Sequence, residues 1–156
     1  AFTRHNFTSE EIESTFVLRE PLMFILPKDH PLAKYDRIPV KALNGIDFII
    51  PSSEQSYTLH HTILNFAKEH GIEFNIVQTA DNILFNINSI GMGLGCTILP
   101  AYITPLSMDH SVVRPLNVEL PQIDLYVSHR KDNTSNAVKR FMELLTRVFY
   151  LDFDRK

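Results

Sequence analysis

Three glycines stand close together in INSIGMGLGCTILP, an uncharged run that extends from Ile87 to Pro100. Glycine-rich loops cradle phosphate groups when they connect a strand to the N-terminus of a helix. Here the order is reversed, because helical spacing of apolar residues precedes the glycines and a strand pattern follows them. The spacing also differs from G-x-G-x-x-G and lacks the Lys-Ser/Thr pair of a P-loop. We interpret Gly91, Gly93 and Gly95 as a helix end where the backbone passes close to its neighbours.

Two polar loops connect a predicted strand to a predicted helix, and these loops are better candidates for a site. They contain SSEQSY at 52–57 and TADN at 79–82. Ligands of open α/β sheets bind beyond the carboxyl ends of strands, where helix N-termini offer N–H donors to an anion. Capping of the two helices by Ser56, Thr79 or Asp81 would explain the same residues. The sequence alone leaves both readings open.

Other reactive residue types give weaker signals. His60 and His61 are adjacent on a helix and point about 100° apart, which is poor geometry for a metal. Cys96, the single cysteine, falls on an apolar strand and reads as a small hydrophobe. We find no Gly-x-Ser-x-Gly elbow, metal triad or nucleophile–base pair. The sequence therefore predicts no catalytic residues, no metal and no cofactor.

Composition narrows the function classes further. The chain has 156 residues, 44% hydrophobic and 21% charged, with a net charge of −3, as in an ordinary globular protein. No basic face is evident for gripping nucleic acid. The uncharged run 82–108 contains asparagines, glycines and prolines, so we interpret it as protein interior rather than a membrane span. No signal peptide is evident, and the cysteine content suits a reducing cytoplasm.

Hydrophobic periodicity predicts alternating strands and helices, which favours a mostly parallel α/β sheet. A helix buries Leu59, Ile63, Phe66 and Ala67 and stops at Gly71. The remaining predicted elements are strands at 22–26, 46–50, 72–78, 96–99, 112–118 and 123–127, helices at 39–45 and 82–90, and a last helix that buries Ala137, Phe141, Leu144, Leu145 and Val148.

The order of four short motifs resembles that of the LysR-type transcriptional regulators over essentially the whole chain. The motifs are LPKDHPLA at 26–33, DFII at 47–50, GMGLGCTILP at 91–100 and VVRPL at 112–116. The resemblance implies an effector-binding region with two Rossmann-like lobes of the type II periplasmic-binding-protein kind and an effector in the cleft between them.

The same resemblance implies how the chain divides. Residues 1–42 would belong to lobe one, residues 43–116 would form lobe two, and residues 117–156 would cross back and finish lobe one. Lobe one would be incomplete in this chain. DNA would be bound by an N-terminal winged helix-turn-helix that is absent from this chain.

The segment 80–84 together with Gly91–Gly93 resembles the regulators of aromatic-acid breakdown, whose effectors include phenylpropionate (hydrocinnamate), benzoate and muconate. By this resemblance a small aromatic carboxylate is the effector. Asn82 stands where the muconate type has a glutamate. Arg4 would otherwise be a surface arginine paired with a nearby glutamate, and Leu125 an ordinary core residue. The effector-binding residues carried over are Arg4, Gln55, Ser56, Tyr57, Asn82, Ile83 and Leu125.

In the family, the helix that matches 82–90 packs against a second subunit. We therefore expect a homodimer or homotetramer with Phe85 and Ile87 at the interface. The leading hypothesis is a cytoplasmic effector-sensing domain of a transcriptional regulator, without enzyme activity. The alternative is a periplasmic solute-binding protein for a small organic anion, because it shares the two-lobed fold.

Overall fold

The computed structural model describes residues 1–106 and 109–150 and has the α/β composition that the sequence predicts. Within this part of the chain, no helix is both long and apolar enough to cross a membrane. Three short 3-10 helices lie at Pro31–Lys34, Val40–Leu43 and Ala101–Leu106. The strands and helices are β1 (Phe2–Thr3), β2 (Ile12–Pro27), β3 (Asp47–Pro51), α1 (Tyr57–Glu69), β4 (Asn75–Ala80), α2 (Ile83–Gly91), β5 (Thr97–Pro100), β6 (Ser111–Val113), β7 (Gln122–Arg130) and α3 (Asn136–Tyr150).

The chain forms two compact units. Unit 1 consists of Ala1–Arg19 and Asp124–Lys156, and unit 2 is the continuous segment Glu20–Ile123. The predicted lobes, 1–42, 43–116 and 117–156, follow the family resemblance and remain a prediction.

Unit 1 contains β1, the first part of β2, β7 from Asp124 onward, and α3. β1 pairs antiparallel with β7, and Phe2 lies opposite Val127. The predicted buried face of α3 is wrong except at Leu145, because Phe141, Leu144 and Val148 are exposed and so is Ala137. The half-buried stripe is shifted by one position, to Val138, Met142, Leu145 and Phe149. Met142, Leu145 and Phe149 face side chains of β2 and β7 across a cavity of only about 10 Å³. The position of these strands therefore determines which face of α3 is covered.

The prediction of a mostly parallel sheet is wrong for unit 2. β3 and β4 are parallel, but β2 pairs antiparallel with both β5 and β6. Alternation of strands and helices predicts parallel pairing only where a helix connects neighbouring strands, as α1 does here. β5 and β6 instead return alongside the long β2. Strand–helix alternation cannot distinguish this arrangement from a parallel one.

Several element boundaries also differ from the prediction. The strand expected at 112–118 ends at Val113, and β2 extends far beyond the predicted 22–26. The expected helix at 39–45 is a short 3-10 helix. The predicted strand 72–78 begins only at Asn75, and Ile76 is exposed rather than inward-facing.

The ends of both helices of unit 2 follow the sequence. α1 buries Leu59, Ile63, Phe66 and Ala67. After it, Gly71 has φ +58° and Ile72 N–H donates to Ala67 O at 3.0 Å, the geometry of a helix stop.

The glycines after α2 have the structural role that we predicted. Gly93 has φ +80°, in the region that favours glycine. A Cβ built on Gly95 would lie 2.8 Å from Asp47 O. The neighbouring Cys96 N–H donates to that same carbonyl at 2.8 Å. The glycine run therefore ends a helix and lets the backbone of β3 approach closely.

Candidate functional site

The carboxyl ends of β3 and β4 meet at one edge of unit 2. The strands are parallel, and their last residues, Pro51 and Ala80, are paired. Beyond this pair, Ser52 N–H donates to Ala80 O at 2.8 Å. The two polar loops singled out in the sequence follow these strands, so their first residues are neighbours at the edge of the sheet.

The first loop leads into the N-terminus of α1. Ser56 occupies the capping position, but its side chain makes no capping hydrogen bond. The Ser56 N–H donates to Ser52 O at 2.8 Å. The first turn of α1 contains no acidic residue, although the exposed Glu54 precedes it by two positions. The first-turn N–H groups and the positive end of the helix dipole are thus available to an anion.

The second loop leads into α2, which is capped by Asn82, one of the predicted effector-binding residues. Asn82 Oδ1 accepts a hydrogen bond from Phe85 N–H at 2.8 Å. The predicted capping alternatives Thr79 and Asp81 are therefore wrong, because the asparagine itself holds the helix end. Its amide NH₂ remains on an exposed residue, and Ile83 beside it is half-buried. The first turn of α2 also lacks an acidic residue.

Gln55 and Tyr57 present exposed side chains at the same edge, with Tyr57 62% exposed. The Tyr57 ring lies 4.2 Å from the ring of His61, centroid to centroid. An aromatic surface therefore borders the N-terminus of α1. Such a surface could pack against the ring of a ligand.

His60, considered in the sequence only as a metal ligand, is hydrogen-bonded to the last residue of β3. The sequence analysis did not predict this contact. His60 Nδ1 lies 2.7 Å from Pro51 O. Because a carbonyl only accepts, Nδ1 carries the proton, and Nε2 is the ring nitrogen left for another partner. The position of His60, one turn into the helix that follows a strand, is the sequence feature that could have indicated a contact with the strand end. Among the described residues, no group of three or more His, Cys, Asp or Glu could hold a metal.

Arg4 and Leu125 belong to unit 1. Arg4 follows β1 directly, where Thr3 pairs with Tyr126 of β7. Arg4 and Leu125 are both half-buried. The structure thus places these two predicted residues in unit 1, while the other five belong to unit 2.

The two residues predicted at a dimer interface differ in exposure. Phe85 is 50% exposed on α2, and Leu84 beside it is 60% exposed. Ile87 is half-buried and packs against the core of unit 2. The free face of α2 is therefore built by Leu84 and Phe85.

Cys96 is fully buried, and this burial raises the pKa of its thiol to about 12. A thiol with so high a pKa stays protonated at neutral pH and is a poor nucleophile. This agrees with the interpretation of Cys96 as a small core residue.

Comparison with known proteins identifies what the chain is similar to. The family model described as the LysR substrate binding domain matches residues 1–149. The chain is 33% identical over 142 residues to the Hca operon transcriptional activator HcaR of Escherichia coli K12, covering 91% of this chain and 48% of that protein. It is 27% identical to the regulator CatR of Pseudomonas putida, covering 94% and 50%. The chain thus spans about half the length of these relatives.

Solved structures share the fold at low sequence identity. The effector-binding domain of QuiR in complex with shikimate matches with a TM-score of 0.82 and 21% identity, over 96% of this chain and 70% of that one. The effector-binding domain of BenM with benzoate matches with a TM-score of 0.77 and 17% identity, over 97% and 69%. These matches confirm the predicted fold class.

Proposed function

The chain belongs to the LysR substrate-binding-domain family, and from this membership we propose that it binds a small carboxylate at the carboxyl edge of β3 and β4. It is the effector-binding domain of a LysR-type regulator and not an enzyme, since its relatives are transcriptional regulators. The matches give no support to the alternative of a periplasmic solute-binding protein.

The observation that carries this proposal is the pair of helix N-termini at one strand edge. The first turns of α1 and α2 have no acidic residue, and the Ser56 side chain does not cap α1. Peptide N–H groups in such a turn bind anions well, because their dipoles add to the hydrogen bonds. A carboxylate would accept hydrogen bonds from the Tyr57 N–H at the start of α1 and from the Asn82 side-chain amide, whereas the Ser56 N–H is already bonded to Ser52 O.

The aromatic body of the effector is proposed from the side chains around that edge and from the relatives. The Tyr57 ring and the half-buried Ile83 offer apolar surface, and Gln55 offers a polar contact. BenM was solved with benzoate and QuiR with shikimate, and both ligands are cyclic carboxylates. A cyclic carboxylate fits both observations, and the Tyr57 ring together with the benzoate bound by BenM favours an aromatic one.

Two residues of unit 1 complete the proposed set. Arg4 would bind the carboxylate through two parallel N–H···O bonds, which a lysine cannot imitate. Leu125 would contact the effector ring. Both remain predictions, since they were carried over from the family resemblance.

The rest of the regulator's activity is also proposed. DNA would be bound by a winged helix-turn-helix outside this chain, and subunits would associate through Phe85 and Ile87 as a homodimer or homotetramer. The regulator would act in the cytoplasm, where bacterial DNA lies. Effector binding would shift the population of conformations and so change the geometry of the DNA-bound oligomer.

Calorimetric titration of the full-length regulator tests the ligand class. Benzoate, cinnamate and phenylpropionate are compared with their primary amides, which keep the ring and lose the charge. We expect at least one acid to bind, and its amide to bind about tenfold more weakly or worse, because a charged hydrogen bond contributes about 1.5–3 kcal/mol. Equal affinities for acid and amide would contradict a carboxylate site.

Arg4→Ala should weaken binding of the same acid by about 1.5–3 kcal/mol. Arg140→Ala is the matched control, since Arg140 is an exposed arginine of the same unit. If Arg4→Ala and Arg140→Ala bind the acid alike, Arg4 does not belong to the effector site.

A further inference from the structure

Unit 2 contains a cavity that shares no residue with the proposed effector site. Its volume is about 440 Å³, within the range of small-molecule sites, about 300–1,000 Å³. β2 forms one wall, and the segment that connects β6 to β7 forms another. We name it the Arg37–Arg114 cavity after its two cationic residues.

Backbone carbonyls hold both guanidinium groups. Arg114 Nε donates to Ala33 O at 2.9 Å and its Nη1 to Val113 O at 3.1 Å. Arg37 Nη1 donates to Leu116 O at 3.1 Å. These bonds use only part of the five N–H donors that each guanidinium has. Because the groups are already oriented, a ligand that used the other donors would lose less side-chain entropy on binding.

Charge in the cavity favours an anion. The ion pairs found among residues 1–106 and 109–150 join Arg19 with Asp124, His129 with Glu13 and Arg130 with Asp132. Neither cavity arginine takes part in them. One carboxylate, that of the exposed Glu119, also lines the cavity. Two guanidinium charges against one carboxylate leave the lining with an excess positive charge.

The remaining walls are mainly apolar. Leu22, Phe24 and Leu116 are buried, and Met23, Val118 and Leu120 are half-buried. A small hydrated ion would leave these walls without a partner, whereas an aryl or alkyl group would cover them. The cavity thus combines oriented cations with an apolar surface.

We propose that the Arg37–Arg114 cavity is a second ligand site, which binds a small monoanion with an apolar body, such as an arylcarboxylate. Its lining begins at Leu22 and ends at Gln122, next to Glu20 and Ile123, the two ends of unit 2. Leu22 N–H donates to Pro121 O at 3.3 Å, so these two chain segments are bonded to each other at the cavity. A ligand there contacts both segments by which the chain enters and leaves unit 2.

Met23 provides a local reporter for the test. The full-length regulator is labelled with ¹³C-methyl methionine, Met23→Leu assigns its signal, and 2-naphthoate is titrated as the probe. We expect a saturable shift of the Met23 methyl signal. Sulfate is charged but has no apolar group, and 2-naphthylmethanol has the naphthyl ring but no charge. Both should bind at least about tenfold more weakly than 2-naphthoate. No Met23 shift with 2-naphthoate, or equal binding of the three compounds, would overturn the proposal.

Variants separate this site from the effector site. Arg37→Glu should raise the Kd for the Met23 shift at least about tenfold. Lys34→Glu makes the same charge change nearby on a residue that does not line the cavity, and should bind as the native protein does. Tyr57→Pro, which alters the proposed effector site, should leave the Met23 shift unchanged. An unchanged Kd in Arg37→Glu, or loss of the shift in Tyr57→Pro, would refute a separate site.

Discussion

At the scale of single residues, Asn86 is the most unusual side chain of α2. It is 1% exposed, and neither its Oδ1 nor its Nδ2 has a hydrogen-bond partner within the described chain. Burying a polar group without a partner costs about 1–3 kcal/mol. Asn86 lies one turn beyond Asn82 and Ile83, the proposed effector contacts. We therefore expect Asn86 to lower the stability of α2 at the site.

Asn86→Leu should raise the free energy of unfolding by about 1–2 kcal/mol, because the leucine removes the unpaired amide at similar volume. Denaturant unfolding of the native protein and of Asn86→Leu measures this difference in the free energy of unfolding. Asn88→Leu is the matched control, since Asn88 is exposed on the same helix and gains only the better helix propensity of leucine. A loss of stability in Asn86→Leu would mean that the buried amide is satisfied in solution.

Gly95 is a second position where one atom decides stability. An alanine Cβ there would meet Asp47 O at 2.8 Å and Asp47 C at 3.0 Å, and both are backbone atoms that cannot turn away. Gly95→Ala should therefore destabilise the protein by about 1–3 kcal/mol, measured as a lower Tm in thermal unfolding. Gly91→Ala, whose Cβ comes no closer than 3.8 Å to the His110 side chain, should cause no comparable loss.

At the scale of elements, the free face of α2 is the feature that the isolated chain leaves exposed. Leu84 and Phe85 are both at least half exposed, on a helix without any charged residue. Burying a large apolar side chain is favourable by about 1.5–3 kcal/mol relative to leaving it in water. A subunit contact that covered Leu84 and Phe85 would gain this free energy for both residues. The proposed subunit contact accounts for an uncharged helix at the surface.

Phe85→Glu should shift the full-length regulator towards lower mass in sedimentation velocity, because a carboxylate would be buried in the subunit contact. Leu64→Glu is the control, since Leu64 is an exposed apolar residue of α1. A folded Phe85→Glu protein that keeps the native mass at all concentrations would show that this face of α2 is not the contact.

How far the sequence determined these elements depended on the kind of signal. Gly71, Gly93 and the apolar stripe of α1 are local signals, and each was interpreted correctly from neighbours in the chain. The pairing of β5 and β6 with β2 and the face of α3 are decided by residues far away in sequence. Periodicity cannot supply such information. The role of His60 was missed for the same reason, since it depends on the carbonyl of Pro51, to which the fold brings it.

At the scale of the whole molecule, net charge bears on whether this chain alone can bind DNA. Its net charge is −3, whereas affinity for DNA depends on lysines and arginines that neutralise phosphates. Basic residues do lie close together in sequence at Arg130, Lys131 and Arg140, and all three are exposed residues of unit 1. Arg130 is already paired with Asp132 at 2.7 Å. We therefore assign no DNA contact to this chain.

The 156-residue chain should not retard promoter DNA in a gel at moderate salt, whereas the full-length regulator should. A non-specific fragment of equal length serves as the control. Sequence-specific retardation by the chain alone would place a DNA contact within it and contradict this assignment.

We propose above all that peptide N–H groups at the start of α1 bind the effector carboxylate. Tyr57 is the first residue of that helix, a position where proline is well tolerated but has no N–H to donate. Titration calorimetry of the full-length regulator with its best aromatic acid should compare Tyr57→Ala, which loses the ring, with Tyr57→Pro, which loses the ring and the N–H. We predict that Tyr57→Pro binds about tenfold or more weakly than Tyr57→Ala. Equal affinity of two folded variants would contradict the claim.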